Sequence, residues 1–257
     1  MRNALAIAGK ELRSYFVSPI AYVVLTGFLL LGGWFFFNLL ARFNFLLSIY
    51  SAMRNPQAQA HLNLNEFVIA PLLHNLSVVL VILVPVITMR SFAEEKRSGT
   101  YELLMTSPLS IPEIVAGKFL GSFAFLLVMI ALTGIYPLLL LMYGNPEVGI
   151  ITAGYLGLLL LGTAFVTVGL LTSSFTENQI IAAVSCLVVL LLFYVIAWPA
   201  DTAGPVLGAV LKYLSLTEHF GAMVKGVIDT KDLVYFLSVI LLALFLTQRS
   251  VESVRWR

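Results

Sequence analysis

Apolar residues gather in long unbroken stretches, separated by short polar pieces. Six stand out: Ile20–Leu40, Pro71–Met89, Phe119–Met142, Ile150–Ser173, Ile180–Ala197 and Leu233–Thr247. A bilayer core of about 30 Å takes about 20 apolar residues of helix, so each stretch predicts a span. The last is short, and would need a thin bilayer or interfacial help from Tyr235 and Gln248. Only the polar turn Ser174 to Gln179 separates the fourth stretch from the fifth. The longer pieces outside the spans are 1–18, 41–70, 90–118 and 198–232, and none is large enough for a soluble domain.

Three of these pieces carry patterns of their own. In 1–18, Leu5, Ala8, Leu12, Tyr15 and Phe16 recur at helical spacing, while Lys10, Glu11, Arg13 and Ser14 fall on other faces. This predicts an amphipathic helix along the membrane surface, its cations near lipid phosphates. Ser18-Pro19 ends it, because the residue before proline avoids the α region. In 90–118, both signs of charge interleave through Glu94, Glu95, Lys96, Arg97 and Glu102. Gly99 can break the helix leaving the membrane by taking φ > 0, and Thr100 can cap a new short helix that Pro108 ends. Ser110 and Glu113 form a capping box for the next helix, with Pro112 tolerated in its first turn. Turning the chain needs only roughly two to eight residues, so this long, capped piece reads as a docking element. In 198–232, Val206, Leu207, Val210, Leu211 and Leu214 form one stripe. Phe220, Met223, Val224, Val227 and Ile228 form another, capped by Thr217. These predict two short amphipathic helices, re-entrant or resting on the outer surface.

Within the spans, Pro85 and Pro137 should kink the second and third helices. Gly27, Gly32 and Gly33 in the first, and Gly154, Gly157, Gly162 and Gly169 in the fourth, allow close helix contact.

Composition narrows the class. Of 257 residues 60% are apolar and 11% charged, and mean hydropathy is +0.98. Soluble domains run at about 45–50% apolar and about 25% charged. A soluble enzyme, a disordered tail and a disulfide scaffold are excluded. A net charge of +2 gives no support to a nucleic-acid partner. The single cysteine, Cys186, cannot form an internal disulfide. Residues 1–18 do not read as a signal peptide, since Lys10, Glu11 and Arg13 occupy the place of an apolar core.

Charge also orients the chain. With the N-terminus inside, the inner pieces hold Arg2, Lys10, Arg13, Arg90, Lys96, Arg97, Lys118, Arg249, Arg255 and Arg257. The outer pieces hold Arg42, Arg54, Lys212, Lys225 and Lys231, so ten of the 15 basic residues are inside. The bias places both termini in the cytoplasm, and the expected location is the cytoplasmic (inner) membrane.

Catalytic signatures are lacking. Gly117-Lys118 has no upstream glycine at P-loop spacing and is followed by Phe119, so the sequence offers no phosphate cradle. No H-E-x-x-H, C-x-x-C or G-x-S-x-G occurs, and His61, His74 and His219 are far apart and read as polar boundary residues. The spans carry essentially no charge, which argues against a proton-coupled transporter.

The run from Lys10 to Pro19, the run from Met89 to Ser110, and Lys118 at the start of the third span closely resemble the membrane subunits of ABC-2-type transporters. The branch of gliding-motility permeases is the nearest in motif. The copper-delivery branch keeps a similar layout but carries a more acidic run where this chain has Lys96-Arg97. The resemblance implies an all-α integral membrane fold with six transmembrane helices. Residues 1–18 would be an elbow helix containing Lys10, Glu11 and Arg13, and 90–118 a cytoplasmic coupling segment. Short re-entrant or interfacial helices would lie between the fifth and sixth spans. It implies coupling through Glu94, Glu95, Lys96, Arg97, Gly99, Thr100 and Glu102: Glu94, Glu95, Arg97 and Glu102 would contact the ATPase or the elbow helix, for instance at Lys10 or Arg13, and Gly99 and Thr100 would fix the geometry. It implies a dimeric ABC ATPase as partner and a second permease, identical or related. In the gliding branch it implies a further membrane-anchored protein with an external domain. No cofactor would bind this chain; ATP–Mg would sit on the ATPase. The expected function is a permease subunit, not an enzyme, that couples ATP hydrolysis to export or mechanical work. The alternative is a non-transporting scaffold that relays ATPase motion to an external partner. A membrane-embedded enzyme is the least supported reading.

Overall fold

The computed structural model describes residues 2–53, 62–102 and 109–255. Arg54, His61 and the expected short helix between Leu103 and Pro108 lie outside them. The described residues form helices and turns only. In chain order they are α1 (Arg2–Val17), α2 (Pro19–Ala52), a π-helical stretch Asn65–Ile69, α3 (Ala70–Thr88), α4 (Arg90–Arg97), α5 (Ile111–Thr133), α6 (Ile135–Tyr143), α7 (Val148–Phe175), α8 (Gln179–Val195), α9 (Pro205–Leu214), α10 (Leu216–Val224) and α11 (Thr230–Arg255).

Among the described residues five helical runs are long and apolar enough to cross a membrane: Pro19–Ala52, Asn65–Arg97, Ile111–Tyr143, Val148–Phe175 and Thr230–Ser253. The remaining expected span, α8, has 17 residues, about 26 Å at 1.5 Å per residue. Several bounds differ from those the hydropathy pattern predicts. The first span does not stop at Leu40 but continues as helix to Ala52, because no glycine or proline interrupts residues 34–55. The last span is not short: α11 has 26 residues. Its polar ends close the apolar pattern without ending the helix, since Gln248 and Arg249 bond Glu252 one turn on.

The centre of the bundle is α7, packed against α3, α5, α8, α10 and α11. Its glycines set the spacing. A Cβ at Gly169 would lie 2.7 Å from Thr88 Cβ, at Gly157 2.8 Å from Met223 Cβ, and at Gly162 3.0 Å from Leu126 Cδ1. Main chain can approach that closely only where a side chain is missing. Gly32 plays the same part in α2 beside Tyr136, whereas Gly27 faces open space.

The break in the third run falls at Gly134, three residues before the proline expected to cause it. Pro137 has no N–H to offer the carbonyl of Thr133, four residues back. The Tyr155 hydroxyl on α7 donates to that carbonyl instead, at 2.9 Å. Pro85 is carried inside α3, and the chain turns after it, at Met89.

At the end opposite the α3–α4 turn, α9 and α10 form the two expected short helices. The cap is Ser215, not Thr217, and the helix stops at Val224 ahead of Gly226 at φ 88°. Phe220, Met223 and Val224 are therefore buried, while Val227 and Ile228 are exposed. His219 joins α10 to α11: Nδ1 meets Asp232 Oδ1 at 2.7 Å, Nε2 meets the Tyr213 carbonyl at 3.0 Å, and the ring stacks on Tyr235. It is a buried tie rather than a boundary residue.

Candidate functional site

The densest polar structure of the chain is a clasp where α1, α4 and α5 meet. It begins with glycine. A Cβ at Gly117 would lie 2.6 Å from Ile7 Cβ, and one at Gly121 2.6 Å from Glu11 Cβ. These two residues of α5, four apart, give α1 a groove, and α1 runs alongside α5 in the same direction. Asn3 donates to Glu113 at 3.3 Å at one end. Tyr15 Oη lies 2.9 Å from Ser122 Oγ at the other, with its ring against Phe125.

Lys118 projects into the centre with 1% of its side chain exposed. Its Nζ donates to Glu11 Oε1 at 2.8 Å and to the Ser91 carbonyl at 2.6 Å, and lies 2.9 Å from Glu95 Oε1. Three acceptors match the three donors of an ammonium, which is what a buried lysine requires. Lys10 lies 3.8 Å from the same Glu95 oxygen and is largely exposed. The clasp therefore joins α1 (Glu11), α4 (Ser91, Glu95) and α5 (Lys118) through one nitrogen.

A second fastening holds α4 to α7. The turn at Met89 leaves the first N–H groups of α4 without helical partners. Ser173 Oγ accepts from Phe92 N and Ala93 N at 3.0 and 3.1 Å and donates to the Met89 carbonyl at 3.0 Å. One buried hydroxyl from α7 thus satisfies both sides of the turn. Lys96 Nζ donates to the Ser174 carbonyl at 2.5 Å and lies 5.3 Å from the Tyr101 ring centroid. Burial pushes the Tyr101 phenol up to about 12, and the Glu95 carboxylate adds to the rise.

Beyond the clasp, Gly99 takes φ 71°, a left-handed value that glycine adopts without steric cost. Thr100 opens a new helical turn, its hydroxyl 2.8 Å from Ser98 Oγ. Ser110 donates to Glu113 from both its backbone N–H and its hydroxyl, completing the expected capping box ahead of α5.

The charged residues singled out from the sequence thus divide. Glu94, Arg97 and Glu102 are exposed around Gly99 and Thr100. Glu95 and Lys96 turn inward and fasten α4 to its neighbours. In α1, Lys10 and Arg13 are exposed, while Glu11 faces α5. The helical stripe expected for α1 holds at Leu12, Tyr15 and Phe16, which pack on the core, but fails at its start: Leu5 is 65% exposed, and Ala4 and Ile7 take the contact with Gly117. The reason is the glycine groove together with the recruitment of Glu11 by Lys118, neither of which hydropathy weighs. Ser173 had no signal in the sequence. Gly117 and Gly121 did, as a Gly-x-x-x-Gly repeat inside an apolar run.

Among the described residues the structure is helical, with five span-length apolar helices and a charged clasp at one end, the make-up of an integral membrane protein. The chain belongs to the ABC-2 family of transporter proteins, whose family model matches residues 5–250. Membership makes it a permease subunit of an ABC transporter and implies an ABC ATPase as its partner. A search of curated proteins finds no match to this chain.

Proposed function

We propose that this chain is the force-receiving permease half of an ATP-driven exporter or mechanical transporter, moved by a separate ATPase docked at the turn around Gly99. One observation carries the reading. Exposed Glu94, Arg97 and Glu102 sit on a short element whose other side is fastened to three helices, α1 and α5 through Lys118 and α7 through Ser173. A push at that surface reaches α1, α5 and α7 directly, which a slack loop would not achieve. Gly99 and Thr100 set the angle of the surface, and α1 serves as the elbow helix. The P-loop missing from these 257 residues agrees with an ATPase on another chain.

Six spans and a cytoplasmic position for both termini fit the same reading. The end of α7 meets the end of α11 at the clasp, where Ser174 Oγ lies 2.8 Å from Ser250 Oγ, and α1 lies there too. The start of α8 follows Ser174 at this end. Its last turn reaches the far end, where Thr217 donates to the Tyr194 carbonyl at 3.3 Å. An α8 that crosses gives an even number of passes.

The test is co-expression with a candidate ABC ATPase partner and co-purification of E94A, R97A and E102A variants. We expect weaker association and slower ATP turnover, with the permease's own melting temperature unchanged. Unchanged association and unchanged turnover in the triple variant overturn the docking role.

A further inference from the structure

A cavity of about 190 Å3 lies between α1, the first turns of α2, the α3–α4 turn and α5. Its lining has two characters. Ala21, Val24 and Phe125 of the span helices belong to an apolar wall, and six charged side chains lie on the polar side among hydroxyl groups such as Ser18 and Thr100. Those six are Lys10, Arg90 and Lys118 against Glu11, Glu94 and Glu95, so the lining sums to zero. A water occupies about 10–15 Å3 of such space, which leaves room for a ligand of about a dozen small groups.

Two of these side chains hold buried atoms with no hydrogen-bond partner among the described residues: Arg90 Nε and Glu95 Oε2. Their other ends are engaged. Arg90 Nη1 donates to Ser18 Oγ at 3.2 Å, and Glu95 Oε1 meets Lys118. Both residues line the cavity, and each charged group keeps hydrogen-bonding capacity that the protein leaves unused. A buried charged group left short of a partner is costly, so the pair selects a ligand that answers both.

We propose that this cavity binds the head group of phosphatidylethanolamine from the leaflet on the clasp side. A phosphate oxygen accepts from the Arg90 guanidinium, the primary ammonium donates to the Glu95 carboxylate, and the glycerol and acyl chains leave along the apolar wall. The zero sum of the lining matches a zwitterion. An acidic head group brings uncompensated negative charge beside three carboxylates, while Lys118 is already spent on two of them. A choline head group carries no N–H for Glu95. Free phosphoethanolamine offers the same polar groups but nothing to cover the apolar wall. The site meets the docking surface at Glu94 and Thr100, and it makes the clasp sensitive to lipid composition.

The test is lipid titration of the purified full chain in detergent, read by native mass spectrometry and by thermal stabilisation. The ligands are phosphatidylethanolamine, its N,N-dimethyl and N,N,N-trimethyl (choline) derivatives, phosphatidylglycerol and soluble phosphoethanolamine. Phosphatidylethanolamine should bind about tenfold more tightly than the choline and glycerol lipids, the scale of one hydrogen bond to a charged group. The dimethyl form, which keeps one N–H, should stay on the tight side. R90Q and E95Q should each erase the preference. The methylation series needs no variant to fold, so it decides the question alone if E95Q loosens the clasp. Choline lipid binding as tightly as phosphatidylethanolamine overturns the site, and so does preferred binding of phosphatidylglycerol. Equal stabilisation by soluble phosphoethanolamine overturns the lipid assignment.

Discussion

Replacing Lys118 with methionine tests whether one nitrogen holds α1, α4 and α5 together. Methionine keeps most of the volume and helix propensity but leaves Glu11 and Glu95 facing each other. Both carboxylate oxygens lie within 2.9 Å of Nζ, so they are at most about 5.7 Å apart. Two unit charges at that separation repel by about 3 kcal/mol at an effective dielectric constant of about 20. That constant suits side chains 14% and 16% exposed. Lys10, 71% exposed and 3.8 Å from Glu95, offsets little of this. Unmaking the bond to the Ser91 carbonyl adds to the loss, so about 3–5 kcal/mol is expected, the usual cost of breaking a buried ion pair. For a chain of this size that corresponds to a fall in melting temperature of roughly 6–15 °C. The assay is thermal unfolding in detergent of K118M, of E11Q/E95Q and of the triple variant. The triple variant should recover more than half of the loss, because it removes the repulsion. An unchanged melting temperature in K118M, or a triple variant no better than K118M, refutes the reasoning.

Other consequences can be checked in the same preparation. S173A strands the Phe92 and Ala93 N–H groups at the α4 turn, at a cost of about 1–3 kcal/mol for each buried group left unpaired. It should also lower ATP turnover in the complex more than it lowers ATPase binding. G117V drives a branched side chain into Ile7, 2.6 Å from the position of its Cβ, and should release α1 to proteolysis while the rest of the bundle resists. G99A places a Cβ at φ 71° and should cost about 1–2 kcal/mol, visible as weaker ATPase association. The Tyr101 phenol is raised to about 12 in the folded chain from 10.0. The folded state thus holds this proton more tightly, and the stability involved is full below pH 10 and lost as pH climbs through 12. Y101F should flatten that alkaline loss in a pH series of melting curves, and an identical slope in both proteins would contradict the burial.

What the sequence settled was the solvent and the class. Long apolar stretches of span length leave no choice but helices in lipid, since a backbone without water must satisfy itself within each segment. The capping box at Ser110 and Glu113, the break at Gly99 and the end of α1 at Ser18-Pro19 were legible too, because each depends on a few neighbouring residues. Hydropathy misjudged the lengths of α2 and α11, since it tracks lipid contact while a helix continues until its backbone is broken. The clasp was legible only in part: a contact of Glu95 with the elbow helix was expected, and Lys10 lies 3.8 Å from it, but its centre on Lys118 was not. Glu95 and Lys96 look like surface charges in the run of residues 94–97, and only the folded chain turns them inward. Ser173 looks like any hydroxyl in a span, and its partners are 80 and 81 residues away. Pairings at that separation depend on which helix faces lie together, and glycines at 117, 121, 157 and 169 decided that by letting backbones approach to a distance no other residue allows.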